Sequence, residues 1–186
     1  MAKPSASFAP PPAVRTRRAY FDCQFGQLHV RTAFPTTGGF DEQVTLICLH
    51  PDKASGHVFS TLLPKIADVR SVYAPDLPGY GESDPSPSRS AVEAAAAVSD
   101  LANDLRLRQI DLLGVRYGAA VALELAGTRP ELVRRLVLAG IPGAERPAAP
   151  KQPRLVLDDA DYADEPSEAA AQTLAKQIGA FLSRAS

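Results

Sequence analysis

The chain has 186 residues, enough for one domain with a substantial core. Hydrophobic residues make up 45% and charged residues 22%, the balance of an ordinary globular protein. A formal net charge of −1 leaves no basic footprint for nucleic acid or an anionic membrane, and no apolar run approaches the ~18 residues of a membrane span.

The first segment, residues 1–18, carries Pro4, Pro10, Pro11 and Pro12 with Arg15, Arg17 and Arg18, and reads as a flexible lead-in. It lacks the apolar stretch of a secretory signal, so a cytoplasmic location is expected. Residues 19–186 read as a single domain. Ala19 to Cys23 and Gln27 to Ala33 flank Gly26 and predict an antiparallel hairpin. Val44 to Leu49 is a nearly continuous apolar run, as in a strand covered on both faces. His57 to Ala67 has helical spacing interrupted by Pro64. Ser71 to Ala74 is a short strand, ended by the turn-rich stretch Pro75 to Gly81.

Ala91 to Leu107 is Ala-rich and helical, with Ser88 or Ser90 available as N-cap. Ile110 to Leu113 predicts the next strand, and Tyr117 to Ala126 a helix closed by Gly127. Leu136 to Ala139 and Arg154 to Leu157 are further strands, separated by a linker with Pro147, Pro150 and Pro153. Glu168 to Arg184 is a closing amphipathic helix. A hairpin followed by alternating strands and helices predicts an α/β fold: a mostly parallel sheet with an N-terminal antiparallel hairpin and helices on both faces. Cys23 and Cys48 lie in strand-like runs without C-x-x-C spacing and read as free thiols.

Four landmarks then stand in order. Leu49-His50-Pro51-Asp52 ends a buried strand. Asp76-Leu77-Pro78-Gly79-Tyr80-Gly81-Glu82-Ser83 follows the next one. Asp111-Leu112-Leu113-Gly114 leads into Gly118-Ala119-Ala120-Val121-Ala122-Leu123-Glu124, and Arg134 to Leu138 comes after that. Together, over roughly residues 44–142, they resemble the α/β-hydrolase superfamily: its His-Gly oxyanion loop, its D-x-P-G-x-G-x-S loop, its nucleophile elbow and the following strand. The resemblance implies a truncated α/β-hydrolase fold. It also implies a site at the elbow, where the family carries G-x-S-x-G.

This chain reads Gly114-Val115-Arg116-Tyr117-Gly118 there. A guanidinium is never deprotonated near neutral pH and cannot attack a carbonyl. The family's order is nucleophile, acid, then histidine base, yet His29, His50 and His57 all precede the elbow. The stretch Leu155 to Tyr162 aligns in two ways. It is either the strand carrying the family's acid, with Asp159 or Asp161 as remnant, or the strand and loop carrying its histidine. The distance to the closing helix favours the second, which places Asp159 at the base position with Asp161 and Tyr162 nearby and deletes the acid's own strand. Tyr117 and Asp52 would supply the oxyanion-hole N–H groups, with Pro51 in place of the family's glycine; losing one such donor typically costs ~10²–10³ in rate. Only about a dozen residues, Ile141 to Gln152, occupy the place of a lid.

The expectation is therefore a shortened member with a degenerate triad and no catalytic residue. It would act by binding a small anionic ligand or a protein partner at Arg116, Tyr117, His50, Asp52, Asp159, Asp161 and Tyr162. Arg116 at a helix N-terminus suits an anion, unless it pairs with Asp52, Asp159 or Asp161. The alternatives are an active esterase- or peptidase-like hydrolase with a non-standard constellation, and a homodimer formed through an exposed sheet edge. The acidic run Asp158 to Glu165 lacks EF-hand spacing, and Gly79-Tyr80-Gly81 lacks the third glycine of a dinucleotide loop, so no metal and no cofactor are expected. Ser55, Ser60 and Ser83 read as cap or loop hydroxyls.

Overall fold

A computed structural model of the chain describes residues 14–36, 43–141, 151–158 and 166–184. Its strands are β1 (Val14–Cys23), β2 (Gly26–Pro35), β3 (Thr45–Leu49), β4 (Val72–Pro75), β5 (Ile110–Val115), β6 (Val133–Ala139) and β7 (Arg154–Leu157). Its helices are α1 (Leu63–Ile66), α2 (Ala91–Asp104), α3 (Tyr117–Thr128) and α4 (Glu168–Leu182). The seven strands form one sheet in the order β1-β2-β4-β3-β5-β6-β7. The hairpin β1–β2 is antiparallel and pairs antiparallel to β4, while β4, β3, β5, β6 and β7 run parallel. The expected architecture is present.

The two faces carry separate apolar layers. One packs α2 and α3 on Ile47, Leu49, Leu112, Leu136 and Leu138. The other packs α1 and α4 on Leu46, Cys48, Leu113, Val115 and Val137. Alternate residues of β3, β5 and β6 thus serve opposite layers, which is why these strands read as continuous apolar runs. Cys48 lies in the core as expected, and burial pushes its thiol far above the ordinary range.

Several boundaries differ from the expectation. β1 starts at Val14, so residues 14–18 are strand rather than lead-in. Val14 packs against the α1/α4 layer and the whole of β1 is in register with β2. Its exposed Arg17 and Arg18 are the charges that suit an edge strand. Residues 1–13 lie outside the described set. The single helix expected over His57 to Ala67 is two short pieces, a 3₁₀ turn at Gly56–Phe59 and α1, because Pro64 is tolerated only in the first helical turn. α3 runs through Gly127 to Thr128 and stops before Pro130, so the proline, not the glycine, ends it. α2 is shorter than expected and is capped by Ser90, whose Oγ accepts from Glu93 N at 3.2 Å. No described helix is long and apolar enough to cross a membrane.

At the N-terminal end of the parallel strands lies a buried charge cluster. Asp111 on β5 is fully buried and accepts from Arg134 Nε at 2.9 Å and Nη2 at 2.6 Å, and from Arg70 Nη1 at 3.1 Å. Arg70 also donates to Val44 O and Gln43 Oε1, and Arg134 and Arg135 reach Leu182 O at the end of α4. These bonds tie the closing helix to the sheet and satisfy its last carbonyls.

Candidate active-site elbow

The candidate site is at the opposite, C-terminal end of the strands. β5 ends at Val115, Arg116 follows, and α3 begins at Tyr117. Arg116 has φ 49° and ψ −108°, the first-central-residue conformation of a type II′ turn, which normally demands glycine. Its N–H donates to Ala139 O on β6 at 2.8 Å, and its carbonyl accepts from Ala119 N at 3.0 Å and Ala120 N at 3.2 Å. The turn is therefore over-determined by β6 on one side and the first turn of α3 on the other. The side chain of Arg116 is half-buried.

The flanking glycines are required by contact. A Cβ on Gly118 would stand 2.0 Å from Leu49 O, and one on Gly114 would stand 2.4 Å from Gly118 O. Only glycine lets α3 approach the end of β3 and its own feeding strand this closely. The close approach brings the loop carrying His50, Pro51 and Asp52 against the head of α3. This is the arrangement of the strained elbow and its neighbouring oxyanion loop.

His50 is fully buried, and both ring nitrogens are engaged. Leu77 N–H must donate to Nε2 (2.9 Å), so the proton is on Nδ1, which donates to Pro51 O at 2.8 Å. Burial holds its pKa below the ordinary histidine value. His50 is thus a neutral brace between the loops after β3 and β4, with no lone pair left to act as a base.

Tyr80 and Tyr117 form the rest of the wall. Tyr80 stacks edge-on against His50 and lies 5.8 Å from the Tyr117 ring. Its hydroxyl donates to Asp52 Oδ1 at 2.7 Å, and the Arg89 guanidinium sits 5.2 Å from its ring centroid. Tyr117 donates to Arg89 O at 2.9 Å. Burial holds both phenols above their ordinary values, so both remain donors. Asp52 is exposed and engaged by Tyr80. The structure thus brings Arg116, Tyr117, His50 and Asp52 to one end of the sheet; Asp159, Asp161 and Tyr162 lie outside the described residues. The sequence reading missed Tyr80 and Arg89 as members of this wall. Tyr80 was quoted within the loop motif, whereas nothing local marks Arg89.

A second polar network braces the adjacent loop. Asp76 is buried and accepts from His29 Nδ1 at 3.0 Å, Gly56 N at 2.7 Å and Glu82 N at 2.9 Å. Ser83 Oγ donates to Asp76 O and accepts from His29 N, so it is a loop hydroxyl as expected. Ser55 caps the 3₁₀ turn, accepting from His57 N. Ser60 does stand beside a histidine, with its Oγ 3.1 Å from His57 Nδ1. The pair is one turn apart on the surface, and no carboxylate orients His57 among the described residues.

The comparisons agree with this geometry. A family model described as the alpha/beta hydrolase fold matches residues 44–186, further than the sequence landmarks reach. A pimeloyl-[acyl-carrier protein] methyl ester esterase of Neisseria meningitidis serogroup A is 35% identical over 136 residues, covering 72% of this chain and 37% of that protein. A 2-hydroxymuconate semialdehyde hydrolase of Pseudomonas sp. is 41% identical over 91 residues, covering 46% of this chain and 31% of its own length. Among solved structures, a mutant N-acyl homoserine lactonase AidH complexed with N-hexanoyl homoserine superposes with TM-score 0.60 at 26% identity, over 69% of this chain and 46% of that one. The haloalkane dehalogenase DbeA from Bradyrhizobium elkani gives the same TM-score and identity over 68% and 42%. The chain spans under half the length of these curated relatives. By sheet order, elbow geometry and the extent of the family match, this chain belongs to the α/β-hydrolase fold family.

Proposed function

We propose that this chain does not perform nucleophilic acyl transfer at its elbow, and that it acts by binding a small anion there. The observation that carries this reading is Arg116 in the strained position, where the fold presents its attacking atom. A permanent cation cannot form an acyl-enzyme, and a fork of donors at the head of a helix favours carboxylate or phosphate. His50, on the loop packed against the head of α3, is neutral with both nitrogens occupied, which supports the same reading.

The test has two arms. The purified chain is assayed on p-nitrophenyl acetate and butyrate beside Arg116→Ser. Neither protein is expected to exceed the buffer rate, because an unactivated hydroxyl is a poor nucleophile. Thermal shift with inorganic phosphate and sodium acetate then reads the anion; Arg116→Gln abolishes the response without lowering the unliganded midpoint by more than a few degrees.

A second reading is retained hydrolase activity through other residues. The relatives named as an esterase and a hydrolase favour it. It predicts covalent labelling by a fluorophosphonate probe, which the first reading forbids.

A further inference from the structure

The hairpin carries a second cationic feature, independent of the elbow. In the β1–β2 register Arg18 stands directly opposite Arg31. The strand alternation puts both guanidiniums on the face that holds Val14 and Ala33, the face covered by α1. Like charges directly opposite on a sheet are destabilising. Four other cations are closely paired: Arg70 and Arg134 share Asp111, Arg129 pairs with Glu131 at 2.6 Å, and Lys65 pairs with Glu168. Here, among the described residues, Arg18 has only Glu82, 3.8 Å away, with both side chains at least half exposed. Among the described residues Arg31 has no acidic partner, and its buried Nε has no hydrogen-bond acceptor. A buried guanidinium N–H without an acceptor is costly.

These arginines border a hollow of about 370 Å³. Thr16, Arg17, Arg18 and Arg31 line it from the hairpin, Ser60 and Leu63 from the end of the 3₁₀ turn and α1, and among the described lining residues none is acidic. That volume is within the range of small-ligand sites, about 300–1,000 Å³. We propose that the hollow binds a phosphoryl-type oxyanion of a small soluble molecule, bridging Arg18 and Arg31 with the Ser60 hydroxyl as a third polar contact. The geometry of the two forks selects the class. One carboxylate offers two oxygens in a single plane, which suits one guanidinium. A phosphoryl or pyrophosphoryl group offers at least three oxygens in different directions, enough to meet both forks.

The test is isothermal titration of Arg116→Gln, the full chain without the elbow's guanidinium, with inorganic pyrophosphate at ionic strength held constant with NaCl. One saturable site is expected, and sodium acetate at the same concentration gives no heat beyond the salt control. Arg18→Gln and Arg31→Gln each weaken pyrophosphate by about tenfold or more. With the elbow guanidinium absent throughout, and the hairpin changes added to that background, the heat reports this site and not the elbow. Because each hairpin variant relieves the cross-strand repulsion, its unliganded melting midpoint equals or exceeds that of the parent. Arg18 is exposed, so its variant retains the fold even if Arg31→Gln does not. No saturable heat in the Arg116→Gln background, heat fully reproduced by NaCl or acetate, or affinity retained when Arg18→Gln is added would each overturn the proposal.

Discussion

The two ends of one sheet use arginine in opposite ways. At the N-terminal end, Arg70 and Arg134 converge on the fully buried Asp111, and Arg135 caps α4. These residues sit on a bend before β4 and at a register shift between β5 and β6, none of them has a positive φ, and the charges are matched by hydrogen bonds. At the C-terminal end, Arg116 occupies a conformation that costs ~1–3 kcal/mol for a side chain with a Cβ. The difference teaches that the elbow has kept its shape while its residue changed. A turn held by β6, by α3 and by two glycines under steric compulsion dictates the backbone whatever side chain it presents.

That comparison can be broken from either end. The largest expected effect is at the matched end. Asp111→Ala strands two guanidiniums in the interior and should cost about 3–5 kcal/mol, read as a fall in the urea midpoint. A loss below ~1 kcal/mol would mean that the cluster is hydrated rather than buried. Next comes the scaffold of the elbow. Gly118→Ala drives a Cβ into Leu49 O, a backbone atom that cannot swing aside, and should cost about 3 kcal/mol or prevent folding. A neutral outcome would mean that α3 can slide away from β3.

Smaller and of opposite sign is Arg116→Gly. Removing the Cβ relieves the positive φ and should raise stability by ~1 kcal/mol, a gain seen rarely among point changes. If stability instead falls by that amount, the guanidinium's contacts outweigh the strain, and Arg116 is a structural pillar. The smallest effect is a pH dependence. His50 has its folded-state pKa held below the unfolded value near 6.5. Below about pH 6.5 the unfolded chain takes up a proton that the folded chain refuses, so stability falls as pH falls. His50→Gln, which can still donate and accept, should flatten the difference between pH 7 and pH 5 relative to the parent.

The fold was legible in the sequence because its signals are dense and local. Continuous apolar runs mark β3, β5 and β6 since each is covered on both faces, and Ser90 with Glu93 marks the start of α2. Boundaries were less legible where one residue's effect depends on its neighbours in space. Arg17 and Arg18 look like a solvated tail in the sequence, yet ten residues of pairing with β2 make them strand. Gly127 looks like a helix stop, but a Cβ there meets nothing and the helix continues to Thr128. For the site, Arg116 was legible because the flanking glycines fix its place in the motif. Tyr80 and Arg89 were not, since their meeting depends on how two loops fold over α3. The facing of Arg18 and Arg31 follows from the hairpin register, which an eye on single residues does not reveal.

The central claim is that the elbow of this chain forms no covalent acyl intermediate. Intact-protein mass spectrometry during incubation with p-nitrophenyl acetate, run alongside the release of p-nitrophenol, tests it most directly. The account predicts an unmodified mass and a release rate equal to buffer. Steady release accompanied by an acetylated species whose label maps to the elbow or its facing loops would contradict it.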